Sequence, residues 1–380
     1  MQKTYEIVLR RLVIVGCALL LTLSAIPPLQ AAVENPGRVY FDVAERRADL
    51  ATEPYATVRA SCLAPSLEGL ETPLEPLSGL TATEGYGTDN RAEQFSWAMM
   101  VLSSHVLGGN PEAVPLLRKQ LHDWATAGAL TETEPVHDAY FALKRVLLPT
   151  ILAYATVRAE LPDEENRIIS AWLDDLVRRV DRVFDGTVDH NNHRYLADSV
   201  LMAWGALIGD AALYQQGIDR FNTALQQARA DGSLPLETRR GSRAAWYMRQ
   251  SLSSLVAMAE IAAQQSDALY PQAVDGATLQ HLVGFFLNTV ALPQYSRRYA
   301  AENYIPGPTG DYLQPDLGFL QQRGHGRHYM AWAEAYLAHD PESTAGQRLQ
   351  ALMARTAFPE RPLLDDFIGG NATCFWGKPS

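Results

Sequence analysis

Apolar residues recur along most of the chain at steps of three and four, the spacing that lines one face of an α-helix. Val114, Leu117, Leu121 and Trp124 follow it, with Asn110 and Pro111 read as N-cap and first-turn proline and Gly128 as the stop. Another stripe, Ile168, Ile169, Trp172, Leu176, Val180 and Val183, follows Pro162 and Asp163. Segments near 138–160, 163–184, 195–208, 211–230, 241–265, 276–290 and 325–338 carry similar patterns, while strand-like alternation is scarce and short. Helices thus recur about every 20–25 residues and helix pairs about every 40–50, which suits stacked helical hairpins in an open solenoid or a closed α/α toroid. No consensus motif repeats, against a tetratricopeptide-type array. No Pro/Gly/Ser-rich linker divides the chain, so residues 32–380 are expected to form one domain.

Residues 1–31 depart from this pattern. Lys3, Arg10 and Arg11 precede an apolar run from Leu12 to Leu23, and a small-residue region ends in Leu29-Gln30-Ala31-Ala32, the order of a cleaved secretory signal. The run is short for a spanning helix and Pro27 and Pro28 interrupt its end. A membrane anchor and a lipobox at Ile14-Val15-Gly16-Cys17 are the competing readings. The signal implies a periplasmic or secreted protein. No other stretch reaches the roughly 18 uninterrupted apolar residues of a membrane span, so no stable membrane insertion is expected after cleavage, and a monomer is expected. Cys62 and Cys374 remain; in an oxidising compartment they either pair or stay as two thiols.

Charge narrows the choice of partner. The chain holds 32 Lys+Arg against 43 Asp+Glu, formally −11, and removing residues 1–31 takes three basic residues and one acid, leaving 29 against 42, or −13. A hydrophobic fraction of 47% excludes a disordered chain. The acidic balance argues against a nucleic-acid binder, which carries a net basic field. An acidic ligand would therefore need positive charge gathered locally.

Two segments gather it. In Asp189-His190-Asn191-Asn192-His193-Arg194-Tyr195, polar groups stand at the entrance of an apolar helix, where they either cap and turn the chain or form a site. The two histidines lack further ligands at metal-like spacing, so no metal is expected. From Asp231 to Tyr247, a Gly/Pro turn leads into Arg239, Arg240 and Arg243, and on a helix Arg240 and Arg243 share a face with Tyr247. Cations at a helix start oppose its dipole and call for a reason.

Together, NNHRY (Asn191–Tyr195), LPLETRR (Leu234–Arg240) and RAAWY (Arg243–Tyr247) resemble the alginate lyases of polysaccharide lyase family five and their relatives. In the same order, Tyr86-Gly87-Thr88-Asp89 looks like a lid loop and Trp124–Leu130 like an early helix end, and Trp332–Tyr336 with Gly369-Gly370 resemble the closing helices. The similarity runs from about residue 80 to 376. It implies an all-α fold, an α/α toroid or incomplete α/α barrel of antiparallel helix pairs, and a lyase cleaving an anionic 1,4-linked polysaccharide by β-elimination, without cofactor or metal. The C5 proton beside an ionised carboxylate is barely acidic, so the carboxylate must be neutralised, a base supplied and the leaving oxygen protonated. The resemblance puts Asn192 and Arg240 on the carboxylate, makes His193 its neutraliser or the base, and Tyr247 the acid or both acid and base. Tyr86, Arg91, Arg194, Arg243 and Trp246 are the expected substrate contacts.

The chain departs from that family where Gly85 stands in place of a lysine before Tyr86, and Met248 in place of a histidine after Tyr247. These changes touch substrate contacts, so polymannuronate, glucuronan or another uronan remain alternatives. Arg297, Arg298, Arg323, His325, Arg327 and His328 either line an anionic groove or form a polar rim; Tyr295, Tyr299, Tyr304 and Tyr312 are candidates to stack on sugar rings. The rival functions are a non-catalytic uronan-binding or export protein on the same scaffold, and a helical glycoside hydrolase, whose acid pair would be Asp189 and Glu237.

Overall fold

Helices buried on all sides alternate along the chain with helices buried along one stripe. The computed structural model describes residues 32–84, 91–180, 190–303 and 311–379. Short helices α1 (Val43–Leu50) and α2 (Ala56–Leu63) lead into α3 (Arg91–Leu107), α4 (Ala113–Thr126), α5 (His137–Val157), α6 (Asp163–Val180), α7 (Asn192–Ile208) and α8 (Ala211–Gln227). The one-turn α9 (Pro235–Thr238) precedes α10 (Ala244–Gln264), α11 (Leu279–Ala291), α12 (Gln294–Arg297), α13 (Trp332–His339), α14 (Thr344–Arg355) and α15 (Ala372–Trp376). Two-stranded antiparallel ribbons, β1 (Ala273–Val274) with β2 (Ala277–Thr278) and β3 (Leu364–Asp365) with β4 (Gly370–Asn371), trim the loops.

Helices α3, α5, α7, α10 and α13 form the inner layer, each packed on the next, and α4, α6, α8, α11 and α14 back them as outer partners. The last inner helix packs on α15, α15 on α2 and α2 on α3, so the arrangement closes on itself as an all-α toroid. An outer helix needs one apolar face, as α6 has in Ile169, Trp172, Leu173, Leu176, Val177 and Val180. An inner helix is covered all round, and almost every residue of α3 and α7 is buried. That is why a search for stripes does not announce α3. The short α1, α2 and α14 also lie outside the predicted segments. Helix α5 is long and apolar enough to cross a membrane, and here it is a buried core helix.

Three boundaries differ from expectation. Helix α4 starts at Ala113, because the Asn110 side chain accepts the Glu112 N–H and holds a turn there. Residues 241–243 form a separate tight turn before α10. Only the second half of 325–338 is helical, since Gly324–Gly326 form a 3-10 turn and Arg327 bridges to Leu364. Residues 1–31 and the helix end at 181–184 fall outside the described residues. The cysteines do pair: Cys62 on α2 and Cys374 on α15, both fully buried and 312 residues apart, form a disulfide that fastens the closing contact of the ring.

Candidate active site

The start of α7 is built by Asn191, whose extended backbone and side chain cap the helix by accepting the His193 N–H at 2.9 Å. Asn192 and His193 then occupy the first turn. Asn192 is buried; its N–H donates to Glu237 Oε1 at 2.7 Å and its Nδ2 to Gln250 Oε1 at 2.6 Å. Its Oδ1 has no hydrogen-bond partner among the described residues. The partly buried His193 ring stands 4.7 Å from that of Phe141, and its carbonyl accepts from Lys144 Nζ at 2.7 Å. Burial, and then the charges of Lys144, Arg240 and His137, hold the imidazole well below its ordinary 6.5. It is therefore neutral at neutral pH.

The second half comes from the turn between α9 and α10. Gly241 takes φ +59°, a left-handed conformation that a side chain would strain, and the chain reverses there. Arg240 and Tyr247 consequently meet across a turn, not along a helix: the guanidinium carbon lies 3.7 Å from the centre of the phenol ring. Neighbouring arginines are neutralised, Arg229 and Arg239 by Glu302 at 2.5 and 3.3 Å, and Arg243 by Asp316 at 3.5 Å. Arg240 forms no such pair among the described residues, and its buried Nε has no hydrogen-bond partner there. Glu237, fully buried and also bonded by Ser251 Oγ at 3.0 Å, has its carboxyl pushed up to about 7 by burial, against the opposing pull of Arg240.

The structure thus brings Asn192, His193, Arg240 and Tyr247 together and separates several residues expected beside them. Arg194, expected as a substrate contact, is buried and grips Asp198 at 2.8 and 3.0 Å, with Arg220 of α8 on the same carboxylate. Arg243, exposed and paired with Asp316, faces Trp246 at 5.7 Å and not Tyr247. Trp246 is half-buried, packed edge-on against Phe319 and Tyr329 as part of a wall. Arg91 begins α3, exposed, and donates to the Glu75 carbonyl at 3.2 Å. Tyr86, Asp189, Tyr304 and the His325 side chain lie outside the described residues.

The expected rim is also redistributed. Tyr312 is buried and donates to the Thr238 carbonyl, while Tyr299 and Arg298 both bind Asp231. Arg297 is exposed and Tyr295 half-buried. His328 is buried and held down to about 4, chiefly by burial and then by Arg249. Arg323 and Arg327 belong to an internal cluster. Arg145 joins Glu93 at 2.6 Å and Asp366 at 2.7 Å, Arg327 pairs with Glu93, Arg323 reaches Asp365 and Asp366 at 3.1 and 3.0 Å, and Arg249 lies 3.7 Å from Asp365. Arg145 also sits 5.4 Å over the Phe141 ring, so this cluster stands directly behind the wall that His193 touches. Among the described residues, no group of three His, Cys, Asp or Glu is arranged to hold a metal.

Sequence reasoning missed Lys144 and Gln250 and weighed Glu237 only as a hydrolase acid. A signal existed for the first: Lys144 and Arg145 interrupt an otherwise apolar helix, and buried cations there demand partners.

Residues 93–295, just over half of the chain, match the family model described as alginate lyase. A polysaccharide lyase of Stenotrophomonas maltophilia is 32% identical over 162 residues, 42% of this chain and 49% of that protein. An alginate lyase of Pseudomonas syringae pv. tomato is 26% identical over 182 residues, 45% of this chain and 48% of that one. The chain spans about half the length of the curated relatives it matches. Alginate lyase A1-III from Sphingomonas species A1 has the same fold, with a TM-score of 0.76 at 21% identity over 92% of this chain and 98% of that one.

Proposed function

Because the chain belongs to the alginate lyase family, we propose that it cleaves an acidic 1,4-linked uronan, alginate first among them, by β-elimination. The observation that carries this reading is the convergence of Asn192 and neutral His193 on Arg240 and Tyr247, with Arg240 in no direct ion pair among the described residues. Arg240 and the Asn192 carboxamide take the substrate carboxylate and draw its charge as the C5 proton becomes acidic. A neutral imidazole brings no positive charge to that task but accepts a proton, so His193 is the base. The C5–H pair forms the C4–C5 double bond, the C4–O bond breaks, and the Tyr247 hydroxyl protonates the departing oxygen. The products are a 4,5-unsaturated uronate end and a new reducing end.

Arg240 over the Tyr247 ring favours a second reading, in which a phenolate steadied by that cation takes the proton and returns it to the leaving oxygen. His193→Gln separates the two, since it abolishes elimination only where histidine is the base.

We also infer that the protein acts as an exported monomer on its polymer. The buried Cys62–Cys374 disulfide supports an oxidising compartment. The test of function is to incubate the purified protein with polymannuronate, polyguluronate and glucuronan in EDTA and follow the ultraviolet absorbance of the unsaturated product. A rise supports the lyase, and its size on each polymer ranks the substrates. Binding without a rise supports a uronan-binding protein, and new reducing ends without a rise support hydrolysis.

A further inference from the structure

Asn192 is held more firmly than a helix start requires. The cap of α7 is already supplied by Asn191, yet the Asn192 N–H is met by a fully buried carboxylate, Glu237, at 2.7 Å. Burying a carboxylate is costly unless something specific is gained, and Glu237 Oε2 has no hydrogen-bond partner among the described residues. The Asn192 side chain is fixed as well. Its Nδ2 donates to Gln250 Oε1 at 2.6 Å, and Gln250 is itself buried. A carboxamide carries two N–H donors, so with one on Gln250 the second and Oδ1 are left in a set direction.

The holders come from the other half of the site. Glu237 lies three residues before Arg240; Gln250 and Ser251 lie one turn beyond Tyr247 on α10, and Ser251 Oγ donates to Glu237 at 3.0 Å. We propose that Gln250 and Glu237 are positioning residues that seat Asn192, locking its carboxamide as a donor to the substrate carboxylate and tying the Asn192-His193 turn to the Arg240-Tyr247 turn. This rests on the lyase reading above. Glu237 grips the backbone and Gln250 the side chain, so each acts through Asn192. The groups facing Glu237 are Arg240 from the α9–α10 turn and Tyr195 from α7, with Asn192 and Ser251 as its donors. With its carboxyl pushed up to about 7 by burial, Glu237 is ionised and grips most strongly above that pH. His193 is held well below 6.5 and does not titrate there.

The experiment is a double-mutant cycle of Gln250→Met and Asn192→Ala in the full chain, with Glu237→Gln measured alongside. Gln250→Met is expected to lower kcat about ten- to hundredfold with KM moved less than about threefold, because the loss falls on the transition state. Added to Asn192→Ala, it is expected to cost nothing further, since its target is gone. Losses that multiply in the double variant would reduce Gln250 to a structural role and overturn its part. Glu237→Gln keeps an acceptor for both donors but removes the titration, so an acid limb near pH 7 in the wild type should be absent from the variant. An unmoved limb would overturn the part given to Glu237. If the wild type binds uronan oligomers without eliminating, the lyase reading falls, and the same cycle is read from Kd, where coupling upholds the seat and additivity overturns it. No affinity for any uronan oligomer would overturn both.

Discussion

Arg240→Met is the substitution that most directly probes the site. It keeps the length of the side chain and removes the guanidinium, which among the described residues meets the Tyr247 ring at 3.7 Å and forms no direct ion pair, though its charge reaches Glu237. A substrate carboxylate about 4 Å from that charge gains about 4 kcal/mol at the effective dielectric of about 20 suited to a partly buried site. Water and salt reduce this toward about 2 kcal/mol at the open side of a cleft. At about 1.4 kcal/mol per decade, the loss in kcat/KM is about thirtyfold to a thousandfold. Arg240→Lys restores the charge without the planar fork and should recover all but about tenfold. The assay is the initial rate of absorbance increase on the preferred uronan, with oligomer affinity measured in parallel. Retention of kcat/KM within about threefold by Arg240→Met would refute a carboxylate-neutralising role for Arg240, and with it the significance of its unpaired state.

Three further outcomes follow from the geometry. Tyr247→Phe removes the hydroxyl and leaves the ring beneath Arg240, so kcat should fall about a hundredfold or more while polymer affinity, by calorimetry, stays within a few-fold. In Lys144→Met, His193 loses one of the cations that depress it, so its imidazole should titrate at higher pH by NMR and the neutral base should disappear sooner on acidification; an unmoved titration would show that Lys144 acts only on the His193 carbonyl. Replacing both Cys62 and Cys374 by serine opens a 312-residue separation, for which chain entropy gives an upper figure of about 6 kcal/mol, so denaturant unfolding should show a loss of about 2–5 kcal/mol with the kcat of the folded fraction retained.

The outer helices α4, α6, α8 and α11 were legible because each shows the chain a single apolar stripe, as α6 does through Trp172 and Val180. Of the inner ones α5, α7 and α10 were legible as well, but α3 was not. Helix α3 is buried on every side, and its buried Glu93, Ser103, Ser104 and His105 blur any period. At the site, the identities of Asn192, His193, Arg240 and Tyr247 were available from ordered motifs, and the nearness of the last two was expected along one helix face, but the geometry of their contact was not. It depends on Gly241 breaking the helix that spacing alone would extend. Arg194 carried a local signal that went unused, since Asp198 stands four residues on along α7 at helical ion-pair spacing, while Arg220, the second partner on that carboxylate, is not local. Gln250 reads in the sequence as one more polar residue of α10, and only its 2.6 Å approach to Asn192 distinguishes it.

The internal cluster behind Phe141 sets four guanidiniums, Arg145, Arg249, Arg323 and Arg327, against three carboxylates, of which Asp365 is pushed up to about 7 by burial and by Asp366 beside it. The excess is positive and almost none of it meets solvent. Mobile ions screen exposed charges over about 10 Å at 0.1 M salt but act far less on charges sealed in the interior. The ion pairs that back the Phe141 wall therefore keep their hold as salt rises, whereas pairs laid along the surface loosen.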